Sequence, residues 1–237
     1  MNNFIKIDGG EFVRKHDIQI KKGLIIPEIA LRVNGFCMDD FVVTQADWSR
    51  VMGTNPSWFK NADLPVECVG WYDAVAFCNK KSLQDGLQPC YTVAGTQAEW
   101  NFGVNGYRLP TEAEWEFAAI GGNKSKGFRY AGSDLLDEVA WYSKNAQKTT
   151  HPRGQKKANE LGLYDMCGNV FEWCWDWFDQ FDCGYMDNPT GPDKGKMKVV
   201  RGNNWVNGAS TSALTRRVHR EPNCKTHHQG FRIVYTK

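Results

Sequence analysis

The chain has 237 residues and a formal net charge of +2 at pH 7. Its hydrophobic fraction of 41% is ordinary for a globular protein, and the small charge gives no support for nucleic acid or an anionic membrane as the partner. No apolar run reaches the roughly 20 residues that a membrane-spanning helix needs. With 10 Trp, 23 Gly and no low-complexity linker, residues 1–237 are predicted to form one loop-rich domain.

The strands and helices of the first half are predicted from periodicity. Alternation of apolar and polar residues predicts strands at 4–13 and 36–43. Thr44 is a suitable N-cap for a short helix that ends before Gly53. A longer helix is predicted over 71–83, because its apolar residues recur at helical spacing.

The clearest helix begins after Thr111. Thr111 and Glu114 form a capping box, in which each side chain accepts a hydrogen bond from a free backbone N–H of the other residue. Gly121 and Gly122 end this helix. Residues 122–161 show little periodicity and are predicted to be loops with one or two short elements, held in place by ions, ligands or aromatic rings.

The last third is predicted to be rich in strands. From Val170 onward, one face carries a row of aromatic residues, which are Phe171, Trp173, Trp175 and Trp177. We interpret this row as core rather than as a platform for stacking sugars. Further strands are predicted at 198–202 and 230–234, and strands with few helices and no βαβ alternation indicate an α+β fold.

The eight cysteines contain no C-x-x-C pair and no Cys/His cluster with the spacing of a zinc site. We expect most of them to be buried free thiols that pack as small hydrophobic side chains, although their even number leaves disulfides open. They are Cys37, Cys68, Cys78, Cys90, Cys167, Cys174, Cys183 and Cys224.

Residues 201–232, here called the variable segment, combine a regular frame with residues of unrelated chemistry. The frame consists of Arg201, Gly202, Trp205, Ala209, Ser210, Arg217, Pro222, Gly230, Phe231 and Arg232. The intervening residues follow no helical or strand period. This pattern favours a surface whose side chains are exchangeable on a fixed backbone, which loses little ordering entropy on binding; the alternative is an ordinary polar loop without a partner.

Ligand contacts are predicted to come from the positions between the frame residues. Basic residues in this segment outnumber its single acid, Glu221, so we expect a local basic surface, without the aromatic stacking pattern of RNA-binding proteins. The three histidines are interpreted as polar surface rather than as ligands of a transition metal. The predicted ligand-binding residues are Asn204, Val206, Asn207, Gly208, Thr211, Leu214, Arg216, Val218, His219, Arg220, Glu221, Cys224, Thr226, His227 and His228.

Four phrases of the sequence together resemble one family. They are residues 108–116, residues 168–173, residues 200–202 followed by Trp205, and residues 230–232. In this order they resemble the formylglycine-generating enzyme (sulfatase-modifying factor) domain, a variant of the C-type lectin fold, over nearly the whole chain. The resemblance implies an α+β, loop-rich, C-type-lectin-like fold with short antiparallel strands and two main helices.

The resemblance also implies that the family's activity is absent. Enzymes of this family oxidise a substrate cysteine to formylglycine with two cysteines that bind copper. The matching positions here are Asn207 and Ser212, and neither residue supplies a thiolate for Cu(I). We therefore predict no catalytic residue and no enzyme activity.

A calcium site of the family resembles the arrangement around Gly168. Asp165 and Glu172 would supply side-chain oxygens, and Gly168 and Val170 would supply backbone carbonyls, which are the hard ligands that Ca²⁺ prefers. The alternative is that Glu172 accepts hydrogen bonds from loop amides and no metal binds. No other cofactor is expected.

The variable segment has a second resemblance of its own. Its frame resembles the variable region of proteins that bacterial diversity-generating retroelements diversify, and those proteins display a C-type lectin fold of this same type. Glu221 departs from the residue types that adenine-directed mutagenesis of an asparagine codon produces. Asn203 and Asn204 stand where the family's pattern has Gly-Ser, so they are candidates for diversification themselves.

These observations predict a non-enzymatic, monomeric receptor at a bacterial cell surface or outside the cell. Its partner would be a protein or another cell-surface ligand that varies with the diversified side chains, and not nucleic acid. The N-terminus does not resemble a signal peptide, so we expect an export signal or lipid anchor absent from this sequence. Two alternatives remain: a divergent oxidase of the formylglycine-generating type with an altered cofactor, and a structural or maturation factor of an exported complex.

Overall fold

The computed structural model describes residues 3–14, 28–179 and 185–236, so Cys183 lies outside the described residues. The helices of these ranges are α1 (Gln45–Met52), α2 (Trp71–Gln84), α3 (Glu112–Ala119) and α4 (Leu136–Val139). The strands are β1 (Phe4–Ile7), β2 (Gly10–Arg14), β3 (Ile29–Val33), β4 (Phe36–Asp39), β5 (Tyr91–Ala94), β6 (Gln97–Trp100), β7 (Phe171–Trp177), β8 (Tyr185–Asp187), β9 (Lys198–Arg201), β10 (Val218–Arg220), β11 (Gln229–Gly230) and β12 (Val234–Tyr235). Short strands with few helices confirm the predicted α+β class.

Within the described ranges the strands form four small sheets. Their orders are β1-β4-β12, β10-β9-β7-β11, β2-β3-β8 and the hairpin β5-β6. Strand β7 is internal to the second sheet, where it pairs antiparallel with β9 and parallel with β11. Both ends of the variable segment are therefore paired with the same strand, β7.

The predicted helix starts are confirmed. In α1 the side chain of Thr44 accepts a hydrogen bond of 3.1 Å from the backbone N–H of Asp47. In α3 the capping box is complete, since Glu114 N donates to Thr111 Oγ1 over 3.1 Å and Thr111 N donates to Glu114 Oε2 over 2.9 Å. These bonds satisfy donors that a helix otherwise leaves free in its first turn.

Two predicted strands are each divided between two sheets. Residues 4–13 form β1, which pairs with β4, and β2, which pairs with β3. The chain changes sheets at Gly9, where a Cβ atom would lie 2.5 Å from the carbonyl oxygen of Val33. Residues 230–234 are divided likewise, because β11 joins β7 whereas β12 joins β4. The strand predicted at 36–43 ends at Asp39.

The aromatic row of β7 belongs to the core at its first half. Phe171 and Trp173 are buried, whereas Trp175 and Trp177 are half-buried. The opposite face of the strand, with Glu172, Cys174 and Asp176, is buried as well. Alternation along this strand therefore separates two buried environments, one largely aromatic and one that holds carboxylates.

The seven described cysteines are free thiols, as expected for most of the eight. Five of the seven are buried, and Cys68 and Cys224 are half-buried. Burial raises the pKa of the Cys167 thiol to about 12, so this group stays protonated and unreactive at neutral pH. The longest described helix, α2, has 14 residues, and no described helix is long and apolar enough to span a membrane.

Candidate binding surface

Arg201 holds the middle of the variable segment from the protein interior. This fully buried residue ends β9, and its guanidinium donates to the backbone carbonyls of Leu214 (2.9 Å) and Arg216 (3.1 Å). The same guanidinium pairs with Glu116 at 2.8 Å and with Glu112 at 3.3 Å, both on α3. A salt-bridged arginine thus connects the helix to the backbone of the loop.

Arg217 forms a second salt-bridged connection between the variable segment and α3. Its Nε and Nη2 donate to the two carboxylate oxygens of Glu112 over 2.8 and 2.6 Å. Burial alone would raise the pKa of Glu112, but Arg14, Arg217 and Arg201 hold it well below its usual range. Because the side chain of Arg217 points inward to Glu112, it fixes the path of the backbone from Arg216 to Val218.

Asn203 and Asn204 contribute to the scaffold of the variable segment; their diversification and a ligand contact of Asn204 stay predictions. Both side chains are buried. Asn203 bonds to the hydroxyls of Thr211 and Ser212. Asn204 Oδ1 accepts hydrogen bonds from the backbone N–H groups of Val206 (2.9 Å) and Asn207 (3.0 Å). The two amides shape the first turn of the segment.

Trp205 connects three parts of the surface. Its backbone N–H donates to Asn169 O and its indole N–H donates to His227 O, each over 3.0 Å. Its ring is half-buried and meets Phe59 edge-on at 5.6 Å. This frame residue is therefore a partly exposed clamp rather than a core side chain.

Seven of the fifteen predicted ligand-binding positions are held through their backbone carbonyls. Besides the two carbonyls that Arg201 binds, the carbonyl oxygens of five more such positions accept hydrogen bonds from residues outside those positions. They are Asn207 from Ser143 N, Gly208 from Asn203 Nδ2, Thr226 from Cys68 N, His227 from Trp205 Nε1 and His228 from Phe171 N. A carbonyl is present whatever the side chain, so these bonds do not depend on the residue type at the held position.

The structure divides the predicted ligand-binding residues into three groups by exposure. Val206, His219, Glu221 and His227 are exposed. The half-buried group comprises Asn207, Gly208, Thr211, Arg216, Val218, Arg220, Cys224, Thr226 and His228. Leu214 is buried in the hydrophobic core, and Asn204 is buried as well, so neither side chain is exposed on this surface.

The expected basic surface is smaller than the sequence indicates. Arg232 is fully buried and paired with Glu172, Arg217 is paired with Glu112, and Lys225 pairs with Asp73 at 2.7 Å. Burial lowers the pKa of His228 to about 4, with help from His227 and Arg220, so His228 is neutral at pH 7. Arg216 and Arg220 are left as the main positive side chains of the surface.

Sequence reasoning missed one aromatic residue beside this surface. The ring of Phe59 lies 5.6 Å from Trp205 and 6.3 Å from His227. Phe59 is distant in sequence from the variable segment, and no periodicity connects it to that segment, so a single sequence holds no signal for the contact.

The two carboxylates among the predicted calcium ligands, Asp165 and Glu172, interact electrostatically, but Glu172 is already engaged by other side chains. Glu172 is fully buried and accepts from Arg232 Nε (2.6 Å), Arg232 Nη2 (2.7 Å) and Trp115 Nε1 (2.7 Å). Asp165 is buried too; its Oδ2 accepts from Gly154 N over 3.1 Å, whereas its Oδ1 accepts no hydrogen bond from the described chain. Burial raises the pKa of Asp165 to about 6. The two carboxylates and one guanidinium leave a net negative charge that a proton or a cation would balance.

The fold and this surface define a C-type-lectin-like domain of the formylglycine-generating type. The chain belongs to the sulfatase-modifying factor enzyme 1-like family, whose domain matches residues 1–237. It is 36% identical to the chaperone protein LppX of Paenibacillus barcinonensis, over 100% of this chain and 90% of that protein. It is also 32% identical to the formylglycine-generating enzyme of Streptomyces coelicolor, over 69% of this chain and 49% of that enzyme.

Among solved structures, the chain resembles variable protein 1 of Treponema denticola. The TM-score is 0.89 with 33% sequence identity, over 98% of this chain and 94% of that one. Both resemblances predicted from the sequence, to the formylglycine-generating domain and to a variable protein, are thereby confirmed.

Proposed function

We propose that this protein is a non-enzymatic binding protein that presents a diversified surface on a fixed scaffold. One observation carries the proposal: hydrogen-bond donors elsewhere in the chain hold the variable segment by its backbone carbonyls, and these bonds do not depend on the side chain at the held position. Exchange of the exposed side chains then changes what is bound and leaves the backbone in place. Preorganisation of this kind keeps the entropic cost of binding low.

The copper positions of the family's enzymes support a role without catalysis. Asn207 is half-buried, and its carbonyl is bound by Ser143 N. Ser212 is buried and its hydroxyl is engaged by Asn203. Purified protein incubated with copper and a cysteine-containing sulfatase peptide should yield no aldehyde, as judged by mass spectrometry. Conversion of the peptide would contradict the proposal and favour a divergent oxidase.

The partner in this proposal is a protein or other surface molecule met outside a bacterial cell, and the binding unit is a monomer. The first test is genetic. DNA flanking the gene should hold a near-copy of the segment that encodes residues 201–232, differing where the copy has adenine, next to a reverse transcriptase gene. Without such a copy, the scaffold argument stands but diversification by a retroelement does not.

The second test separates surface from scaffold in the protein itself. A library randomised to all residues except proline at the exposed positions Val206, His219, Glu221 and His227 should keep the wild-type melting temperature within a few degrees, since surface changes usually cost less than about 0.5 kcal/mol each. A matched library at the buried positions Asn203, Asn204, Ser212 and Leu214 should lose folded members. Equal losses in the two libraries would refute the division between surface and scaffold.

A role in protein maturation is the second candidate, because LppX, which matches this chain along its whole length, is named a chaperone. The half-buried rings of Phe59 and Trp205 would then contact one constant client. Affinity purification from the native host tests this candidate. Recovery of one partner that is insensitive to substitutions at Val206, His219, Glu221 and His227 favours maturation, whereas a partner lost on these substitutions favours the diversified surface.

We also propose that calcium binds at Asp165, whose unpaired, buried Oδ1 fits a cation. Glu172 would contribute only the acceptor position that Arg232 and Trp115 leave on it, and carbonyls of Gly168 and Val170 would complete the ligand set. Millimolar calcium should raise the melting temperature of the wild type by several degrees. An equal rise in Asp165→Ala, or no rise in the wild type, would exclude the site.

A further inference from the structure

A separate depression lies beside the β5–β6 hairpin. Its volume is about 140 Å³, and none of its lining residues falls within the variable segment. This volume is less than half of the roughly 300 Å³ at which pockets for drug-sized molecules begin. The depression therefore suits one small ring rather than an extended molecule.

Two stacked aromatic rings form one wall of this depression. Trp100 and Phe102 have ring centroids 4.5 Å apart and an interplanar angle of 25°. Trp100 is fixed by the guanidinium of Arg108, 4.7 Å from its centroid, and by the edge contact of Trp175 at 5.6 Å. Phe102 is 68% exposed. An apolar ring face is thus presented to solvent on a support that is itself held in place.

The charges in the depression cancel. Its charged lining residues are Arg108 and Glu114, and they form a two-pronged pair in which Nη1 and Nη2 bond the two carboxylate oxygens at 2.6 and 2.7 Å. Arg108 also donates to the hydroxyl of Thr236 over 2.9 Å. Since the carboxylate and the guanidinium satisfy each other, a charged ligand gains little here.

The rim offers uncharged hydrogen-bonding groups. The side chains of Asn34 and Thr190 line the depression and make no hydrogen bond within the described part of the chain. The Thr236 hydroxyl accepts from Arg108 and keeps its own proton for donation. Amide and hydroxyl groups of this kind serve a ligand that carries several hydroxyls.

We propose that this depression binds one pyranose ring of a neutral carbohydrate. The C–H face of a sugar ring packs on the electron-rich face of Phe102, while its hydroxyls bond to Asn34, Thr190 and Thr236. An apolar peptide side chain would cover the same rings but leave the rim groups without partners, which is unfavourable. This site does not depend on the proposed role of the variable segment.

The test is a titration of the full chain with methyl glycosides of glucose, mannose, galactose and N-acetylglucosamine, followed by tryptophan fluorescence and saturation-transfer NMR. At least one should bind with a Kd of about 1 mM, and Phe102→Ala should weaken it by about tenfold or more. Trp58→Ala, which removes an equally exposed ring that does not line the depression, is the matched control and should leave binding unchanged.

Because Phe102 is exposed, its variant should keep the wild-type melting temperature, so a loss of binding reports on the site and not on folding. The proposal is overturned if none of the four glycosides saturates the protein at tens of millimolar. It is also overturned if Phe102→Ala binds as well as the wild type, or if N-acetylphenylalaninamide binds in a Phe102-dependent manner when no glycoside does.

Discussion

Replacement of Asn204 by alanine isolates the contribution of one buried amide to the shape of the variable segment. The change removes the acceptor for two backbone hydrogen bonds, from Val206 N and Asn207 N. Each such bond contributes about 1 kcal/mol net, so the free energy of unfolding should fall by about 2 kcal/mol. For a chain of this length that corresponds to a lowering of the melting temperature by about 4–8 °C.

Calorimetry measures the overall loss, and amide hydrogen exchange locates it. The N–H groups of Val206 and Asn207 should exchange faster in Asn204→Ala than in the wild type, while amides in β7 keep their protection at equal temperature below the transition. Asn204→Asp keeps an acceptor at the same place and loses no bond of the amide nitrogen, because Asn204 Nδ2 has no partner in the described structure. This variant should retain the two protected amides.

Val206→Ala is the matched surface control. Val206 is 45% exposed, and its loss should change stability by less than about 0.5 kcal/mol. The reasoning is refuted if Asn204→Ala melts within 1 °C of the wild type, an interval well below the roughly 4 °C expected. It is also refuted if Val206→Ala costs as much as Asn204→Ala, since the segment would then depend on its exposed side chains.

Three further outcomes are expected. Arg201→Met should lower the free energy of unfolding in urea by about 3 kcal/mol or more, because it leaves Glu112 and Glu116 buried with one partner fewer; a loss below about 1 kcal/mol would contradict this role. Trp205→Ala should cost about 2 kcal/mol, less than the 3–5 typical of a fully buried ring, because its indole is half-buried; a neutral effect would show that the clamp is dispensable. In a calcium-free buffer Asp165, whose pKa is raised to about 6 by burial, should contribute stability that is present at low pH and lost as pH rises through 6, about 3 kcal/mol in total; a pH dependence that is the same in Asp165→Asn would exclude this group.

Local elements were predictable from the sequence where a short-range rule applies. The caps at Thr44 and Thr111 place the starts of α1 and α3 correctly, since each depends on residues within three positions. The division of residues 4–13 between two sheets was not predictable, because alternation reports which face a residue takes and not which strand it pairs with. A change of sheet at Gly9 is visible only when the partner strands are known.

For the candidate surface too, features set by neighbouring residues were predictable, whereas contacts between residues far apart in the chain were not. Its frame residues are readable in the sequence, and Arg201, Arg217 and Trp205 do anchor the segment. Their partners on α3 and at Asn169 were not readable, because a single sequence does not pair residues that are far apart in the chain. The burial of Asn203 and Asn204 was missed because asparagine is polar and is most often exposed.

The carbonyl anchors of the variable segment have a consequence for which amino acids natural variants tolerate. A donor that holds the main chain at Arg216 or His228 is indifferent to the residue encoded there, so large, small, charged and apolar side chains are all compatible with these hydrogen bonds. Positions 206 and 207 are different, because there the backbone contributes its N–H to Asn204. Proline lacks that hydrogen, and it is therefore the one residue that these two positions should exclude throughout a population of variants.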